Sequence, residues 1–254
     1  MNTENLWIGL SEAARNALVL RDYKTGSFAQ RLSGPGVEAG ELTGVNRPQP
    51  EMRRAWIPGV EIFRRKIFAQ LHRGSFGEFV RQSKGVPAKI GFWPQQWSAA
   101  RMFAGTAKGF HVHPPSIPAE TTPEKWHRRL FIRQPENYSL RRYNDEQWDM
   151  MFFLQGRVEI ILCDIRAGLP RRVMRFFIDG DNHRSNNNAG IVIPPGVTHA
   201  IRVEGGEDVI MVYGTSTTFH PEFEGRIASE VETAKLPESW QKFLDESGKQ
   251  ENRR

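Results

Sequence analysis

The sequence predicts an all-β fold, a single sandwich or barrel, and three observations predict it. From Trp56 to Tyr213 the apolar residues fall into many short runs of strand length. Glycine- and proline-containing turns separate these runs. No internal repeat divides the chain, so its 254 residues suit one large β domain better than two small ones. Three parts follow: an N-terminal arm over 1–55, a barrel over 56–236 with an insertion at 114–145, and a short C-terminal helix and tail over 237–254.

In the arm, Leu10 to Leu20 has helical spacing behind the capping residue Ser11, and residues 24–52, rich in glycine, proline and polar groups, read as extended. Val60–Phe63 and Lys66–Ala69 read as strands. In the next segment Arg73-Gly74 is a turn, and Phe76, Glu78 and Val80 fall on one strand face. Residues 84–97 read as a loop. Three prolines just after His113 deny a regular central strand, and the polar stretch to Asn144 reads as a long insertion between two strands. Met150–Leu154 and Val158–Ile165 form a hairpin about Gln155-Gly156-Arg157. Arg172–Ile178, Ile191–Ile193, Ala200–Glu204 and Asp208–Tyr213 are further strands, and Pro237 to Ser247 is a helix.

Composition excludes several function classes. The chain is 39% hydrophobic and 25% charged, ordinary for a globular protein, and no apolar run approaches the roughly 18–20 residues of a membrane span. The N-terminus lacks the blocks of a signal peptide, and the single cysteine, Cys163, sits in an apolar run as core filler; both suit the cytoplasm. The net charge of +6 is scattered, with no basic helix or aromatic-basic signature, so nucleic acid is not the expected partner. A modest positive field attracts small anions such as nucleotide diphosphates.

The chemistry-bearing stretch is Gly105-Thr-Ala-Lys-Gly-Phe-His-Val-His113. Residues i and i+2 of a strand share a face, so His111 and His113 project together. A second stretch, Ile191-Val-Ile-Pro-Pro-Gly-Val-Thr-His199, answers it. If the two meet, three imidazoles share one cavity, where they either move protons or hold a metal. His72, His127, His183 and His220 have no spacing argument and read as surface residues.

Four landmarks in order resemble the dTDP-4-dehydrorhamnose 3,5-epimerase family within the cupin superfamily. Arg73-Gly-Ser-Phe-Gly-Glu78 is similar to its Arg-Gly-x-Phe-x-Glu segment, and Gly105 to His111 to its Gly-x-x-Arg-Gly-x-His segment. Ile193-Pro-Pro-Gly-Val-Thr-His199 is similar to its Ile-Pro-x-Gly-x-x-His turn, and Tyr213 with Phe219-His-Pro-Glu222 to the segment carrying the catalytic tyrosine. The resemblance spans about Val60 to Pro237 and implies a cupin jelly roll, a homodimer, no cofactor, and a nucleotide-sugar substrate epimerised beside a 4-keto group. It implies His111 as base and Tyr213 as acid, assisted by His199 and Lys108. Arg73, Phe76, Glu78 and Gln96 would bind substrate. The chemistry needs such groups: a base near operating pH, an acid on the opposite face, and charge near the developing enolate.

Departures from the family open a second reading. His113 stands where the family has glutamine, Lys108 for arginine, Ser98 for asparagine, and Asp149 for a lysine seven residues before the hairpin glycine; only Asp245 is a candidate for the base-orienting aspartate. His111, His113, Asp149 and His199 resemble the ligand spacing of metal-binding cupins, implying one divalent transition metal (Fe, Mn, Ni, Cu or Zn) and oxygenase, isomerase or lyase chemistry. A non-catalytic sugar-binding cupin is the third reading.

Overall fold

The structure is a computed structural model and describes residues 36–44, 56–113, 147–164, 172–219 and 225–226. In chain order its elements are β1 (Val37–Glu38), α1 (Ala39–Thr43), β2 (Glu61–Arg64), β3 (Ile67–Ala69), β4 (Ser75–Gly77), α2 (Gly85–Ile90), β5 (Gln96–Met102) and β6 (Ala107–Val112). They continue with β7 (Asp149–Gln155), β8 (Arg157–Asp164), β9 (Val173–Asp179), β10 (Ala189–Ile193), β11 (Val197–Glu204), β12 (Val209–Thr215) and β13 (Gly225–Arg226).

Alternating apolar residues decide which face each strand turns inward. Val158, Ile160 and Leu162 of β8, Met174, Phe176 and Ile178 of β9, and Val197, Ile201 and Val203 of β11 point into one buried core. Ile191 and Ile193 of β10 and Val209 and Met211 of β12 meet them from the other side. Each such side chain contributes about 1.5–3 kcal/mol on burial. The strands form two facing sheets, one in the order β1-β9-β8-β11-β6-β13 and the other β2-β10-β7-β12-β5. This is the all-β jelly-roll arrangement the sequence predicts, with open rather than closed sheets. β3 and β4 pair with each other as a separate hairpin. The tight β7–β8 turn rests on Gly156 at φ +80°, where a Cβ would lie 2.7 Å from the Asp208 carbonyl oxygen.

A smaller cluster covers the outer face of the five-stranded sheet. Ile90 of α2 and Phe92 pack there with Trp148, Met150, Phe152 and Val192. Phe152 also stacks with Trp97 at 6.1 Å and Phe79 at 4.9 Å. Arg65 lies 4.7 Å over Phe79 and pairs with Asp181, fastening the base of the β3–β4 hairpin.

Several sequence expectations need correction. Residues 84–97 are not a loop throughout. They contain α2, whose Pro87 sits in the first turn where its missing N–H costs nothing, and the first two residues of β5. Part of the supposedly extended arm is ordered on the barrel: β1 pairs in parallel with β9, and Ala39 and Leu42 of α1 join the core. Glu78 and Val80 share no strand face with Phe76, because β4 ends at Gly77. Cys163 is buried as expected. The expected helices at 10–20 and 237–247, the whole of the 114–145 insertion, Asp245, His127 and His220 lie outside the described residues. Among the described residues no helix is long and apolar enough to cross a membrane.

Candidate active site

One mouth of the two-sheet core is polar. There β6 and β11 from the six-stranded sheet face β5, β7 and β12 from the other. Between them lies a cavity of about 250 Å³, lined by Gln96, Lys108, His111, His113, Asp149 and His199. Gln147, Thr215, Tyr213 and Phe219 complete its polar and aromatic wall, and Met151, Ile201 and Met211 form its apolar side.

Strand register explains how these side chains converge. His199 of β11 lies opposite His111 of β6, but Ile201 lies opposite Lys108, so β6 carries one extra residue. A regular strand would turn residues 108 and 111 to opposite faces. The bulge restores them to one face, and both line the cavity. His113 follows β6, and its carbonyl oxygen accepts a 2.6 Å hydrogen bond from the Gly196 N–H. Gly196 has φ +79°, a turn conformation that favours glycine, so the Pro194-Pro195-Gly196 corner pins His113 beside the strand that bears His199. Asp149 opens β7, next to Thr215 of β12 and Ile193 of β10. Tyr213, two residues before Thr215 on β12, shares its inward face.

The groups are close and dry. His111, His113, His199 and Asp149 are each at most 7% exposed. Asp149 Oδ2 lies 3.3 Å from His113 Nε2 and 3.6 Å from His199 Nε2. The His199 ring is centred 5.7 Å from that of His111 and 5.6 Å from that of His113. His113, Asp149 and His199 offer ligand atoms all within 4.8 Å of one another, and His111 stands beside this trio, outside it.

A short chain of hydrogen bonds fixes the carboxylate. The Thr217 hydroxyl donates to Gln147 Oε1 at 2.9 Å, and Gln147 Nε2 donates to Asp149 Oδ1 at 3.1 Å. That leaves Oδ2 directed at the two imidazoles. Gln96 is held similarly: its Oε1 accepts the Phe219 N–H at 2.8 Å, and its Nε2 donates to Ser98 Oγ at 3.2 Å.

Burial dominates the electrostatics. It pushes the His199 pKa down to about 4; the Asp149 charge and the Val197 backbone pull it up, and His113 and Lys108 push it further down. His199 is therefore neutral at physiological pH, with a lone pair to offer. Burial also raises the Asp149 pKa, opposed by His199, Gln147 and Lys108.

Seven sequence-selected residues meet at this cavity: Gln96, Lys108, His111, His113, Asp149, His199 and Tyr213. Arg73, Phe76 and Glu78 do not; they sit exposed on or beside the β3–β4 hairpin, and Glu78 forms a two-pronged bond with Arg81 at 2.6 and 2.8 Å. Sequence reasoning missed Gln147, Thr215 and Thr217. The signal for Gln147 was its place two residues before Asp149, hence on the same side of an extended chain.

The chain is 24% identical over 152 residues to the spore coat polysaccharide biosynthesis protein SpsL of Bacillus subtilis, a match covering 59% of this chain and 74% of that protein. Among solved structures it is similar to a dTDP sugar isomerase from Desulfovibrio desulfuricans, with 13% identity, a TM-score of 0.49, and 68% and 86% of the two chains covered. It is also similar to the dTDP-6-deoxy-D-glucose-3,5-epimerase of Legionella pneumophila in complex with dTDP-4-keto-L-rhamnose, with 20% identity, a TM-score of 0.46, and 67% and 73% covered. No family model matches the chain.

Proposed function

We propose that this protein is a nucleotide-sugar epimerase or isomerase that inverts carbon centres beside a 4-keto group. One observation carries the reading: His111 on β6 and Tyr213 on β12 line a single cavity from opposite sheets. A sugar ring lying between them has a base on one face and a hydroxyl acid on the other. The motif resemblance and the polysaccharide-biosynthesis relative support the sugar class of the substrate.

The steps follow from elementary carbonyl chemistry. A C–H bond next to a ketone is acidified, because the electron pair it releases moves to the carbonyl oxygen. His111 takes that proton, and an enolate forms. Tyr213 returns a proton to the carbon from the opposite face, inverting it; general acid–base groups of this kind contribute roughly 10²–10⁴-fold each. Lys108, on the same side as His111, supplies positive charge to the enolate oxygen, and neutral His199 accepts or donates a hydrogen bond there. Removal of water from so buried a site strengthens each of these interactions.

Arg73, Phe76 and Glu78 bind the nucleotide, with Arg73 on the diphosphate and Phe76 against the base. They do so from a second copy of the chain. The hairpin exposes Phe68, Leu71 and Phe76, which are 56%, 94% and 52% exposed in the single chain, and an apolar surface of this kind suits a homodimer contact. The buried thiol of Cys163 accords with action in the reducing cytoplasm.

The test is turnover. A dTDP-linked 4-keto-6-deoxyhexose incubated with the protein yields a new stereoisomer, followed by proton NMR, and Tyr213→Phe reduces its formation at least tenfold. Unchanged substrate with the wild-type protein would refute the reading.

A further inference from the structure

The proposed reaction gives Asp149 no task, and its charge works against that reaction. In that reading the enolate oxygen takes Lys108, and the diphosphate takes Arg73 from a second copy. A carboxylate lining the same cavity repels the enolate and offsets Lys108, the only lysine or arginine among the described residues that lines it. Asp149 is also 3% exposed, and a buried carboxylate without a compensating charge is costly.

The geometry shows where compensation is missing. Oδ1 accepts from Gln147 Nε2 at 3.1 Å, and Thr217 holds Gln147 in turn. Oδ2 stands 3.3 Å from His113 Nε2 and 3.6 Å from His199 Nε2, longer than the roughly 2.7–2.9 Å of a charge-assisted hydrogen bond. Among the described residues no lysine or arginine pairs with it. Burial accordingly holds the carboxyl above its usual pKa, with His199, Gln147 and Lys108 opposing only in part; an opposite charge beside Oδ2 relieves that penalty. The strand register says what could bring the charge. Asp149 of β7 lies opposite Thr215 of β12, and Tyr213 lies opposite Met151. Carboxylate and acid are therefore two residues apart along paired strands, about 6.6–6.8 Å. A pyranose with a reacting carbon against Tyr213 spans that distance with a substituent on its edge. In a 4-keto nucleotide sugar C1 holds the diphosphate, C4 the ketone and C5 the C6 carbon. C3, beside the ketone, is the nearest ring position left for a cationic group.

We infer that the sugar this cavity takes carries an amino group at C3, that its ammonium pairs with Asp149 Oδ2, and that Gln147 positions the carboxylate for it. The inference rests on the nucleotide-sugar reading above and narrows it to 3-amino sugars. The ammonium neutralises Asp149 and leaves Lys108 to the enolate oxygen. A hydroxyl in its place donates a hydrogen bond but leaves the buried charge standing, so neutral sugars react more slowly.

The test is calorimetric titration of the full-length protein at about pH 7 with three analogues that lack the ketone and do not react: dTDP-3-amino-3,6-dideoxyglucose, dTDP-6-deoxyglucose, and the N-acetyl form of the first. The wild type should bind the amino sugar about 10–100-fold more tightly than the 3-hydroxyl sugar, and the uncharged N-acetyl sugar no more tightly than the hydroxyl one. Asp149→Asn should bring the amino and hydroxyl sugars within about threefold of each other, and Gln147→Ala should reduce the preference by roughly threefold or more. If Asp149→Asn does not fold, as judged by circular dichroism, the N-acetyl comparison in the wild type decides. No binding, equal binding of the amino and hydroxyl sugars, N-acetyl binding as tight as that of the amino sugar, or a preference that survives in folded Asp149→Asn overturns the inference. Exchange of solvent deuterium into a neutral 4-keto sugar without any preference for the amino analogue would leave the epimerase reading standing and remove the inference. A preference lost in Asp149→Asn, with no exchange into either the neutral or the 3-amino 4-keto sugar, would do the reverse.

Discussion

A protein that buries a neutral imidazole loses stability as it is acidified, and His199 allows the loss to be worked out. Its pKa is about 4 in the folded protein against 6.5 for an unperturbed histidine. Below 6.5 the unfolded chain takes up a proton that the folded chain refuses, so this contribution is complete above 6.5 and is lost as pH falls toward 4. Between about pH 7 and pH 5 the difference in proton binding integrates to about 1.8 kcal/mol. At this chain length that corresponds to about 4–7 °C in Tm. Asp149 runs the other way: its raised pKa lets the folded protein take up a proton first as pH falls, which opposes the loss. Burial, the largest cause of that rise, is common to the wild type and to His199→Gln, and that part cancels in their difference. The assay is chemical denaturation of both proteins in chelator across this pH range. The wild type should lose about 1.8 kcal/mol more than the variant. Parallel curves would refute the claim that burial holds His199 neutral.

Three further outcomes follow from the packing. Gly190→Ala places a Cβ 2.5 Å from Phe63 Cζ and 2.8 Å from Phe152 Cε1, so overpacking costs about 1–3 kcal/mol in denaturant; an unchanged midpoint would show that the rings yield freely. Arg65→Met removes the partner of the partly buried Asp181 and costs about 3 kcal/mol near neutral pH; a smaller loss at low pH, where Asp181 is protonated, identifies the stranded charge as the cause, and an equal loss at both would not. Light scattering should find the wild type dimeric, and Phe68→Ser, Leu71→Ser and Phe76→Ser together should shift it to monomer; a wild-type monomer would contradict the dimer.

Much of the barrel was readable because its strands are long and amphipathic. β7 and β8 announce themselves by dense apolar residues on both sides of a glycine turn, and their central positions are buried on both faces. β5 was not readable. Its inward position Gln96 is polar because it lines the cavity, Ser98 is polar and accepts a hydrogen bond from Gln96, and Ala100 is small, so the usual alternation is missing. The helix α2 was hidden by Gly85 and Pro87, which ordinarily signal a loop. At the site, the i, i+2 rule paired His111 with His113, and motif spacing brought in Asp149 and His199. The same rule would have sent Lys108 to the opposite face; the bulge that reverses this is a property of strand pairing and leaves no mark in the sequence. Gln147 escaped because its role depends on Thr217, seventy positions away.

The most direct test of the central claim is exchange of substrate protons with solvent. A dTDP-linked 4-keto-6-deoxyhexose is incubated in deuterium oxide with wild-type protein and with folded His111→Ala, and deuterium at C3 and C5 is followed by NMR. The account predicts incorporation at one or both carbons with the wild type and a fall of at least 100-fold in the variant. Full exchange by His111→Ala, or none by the wild type, would contradict it.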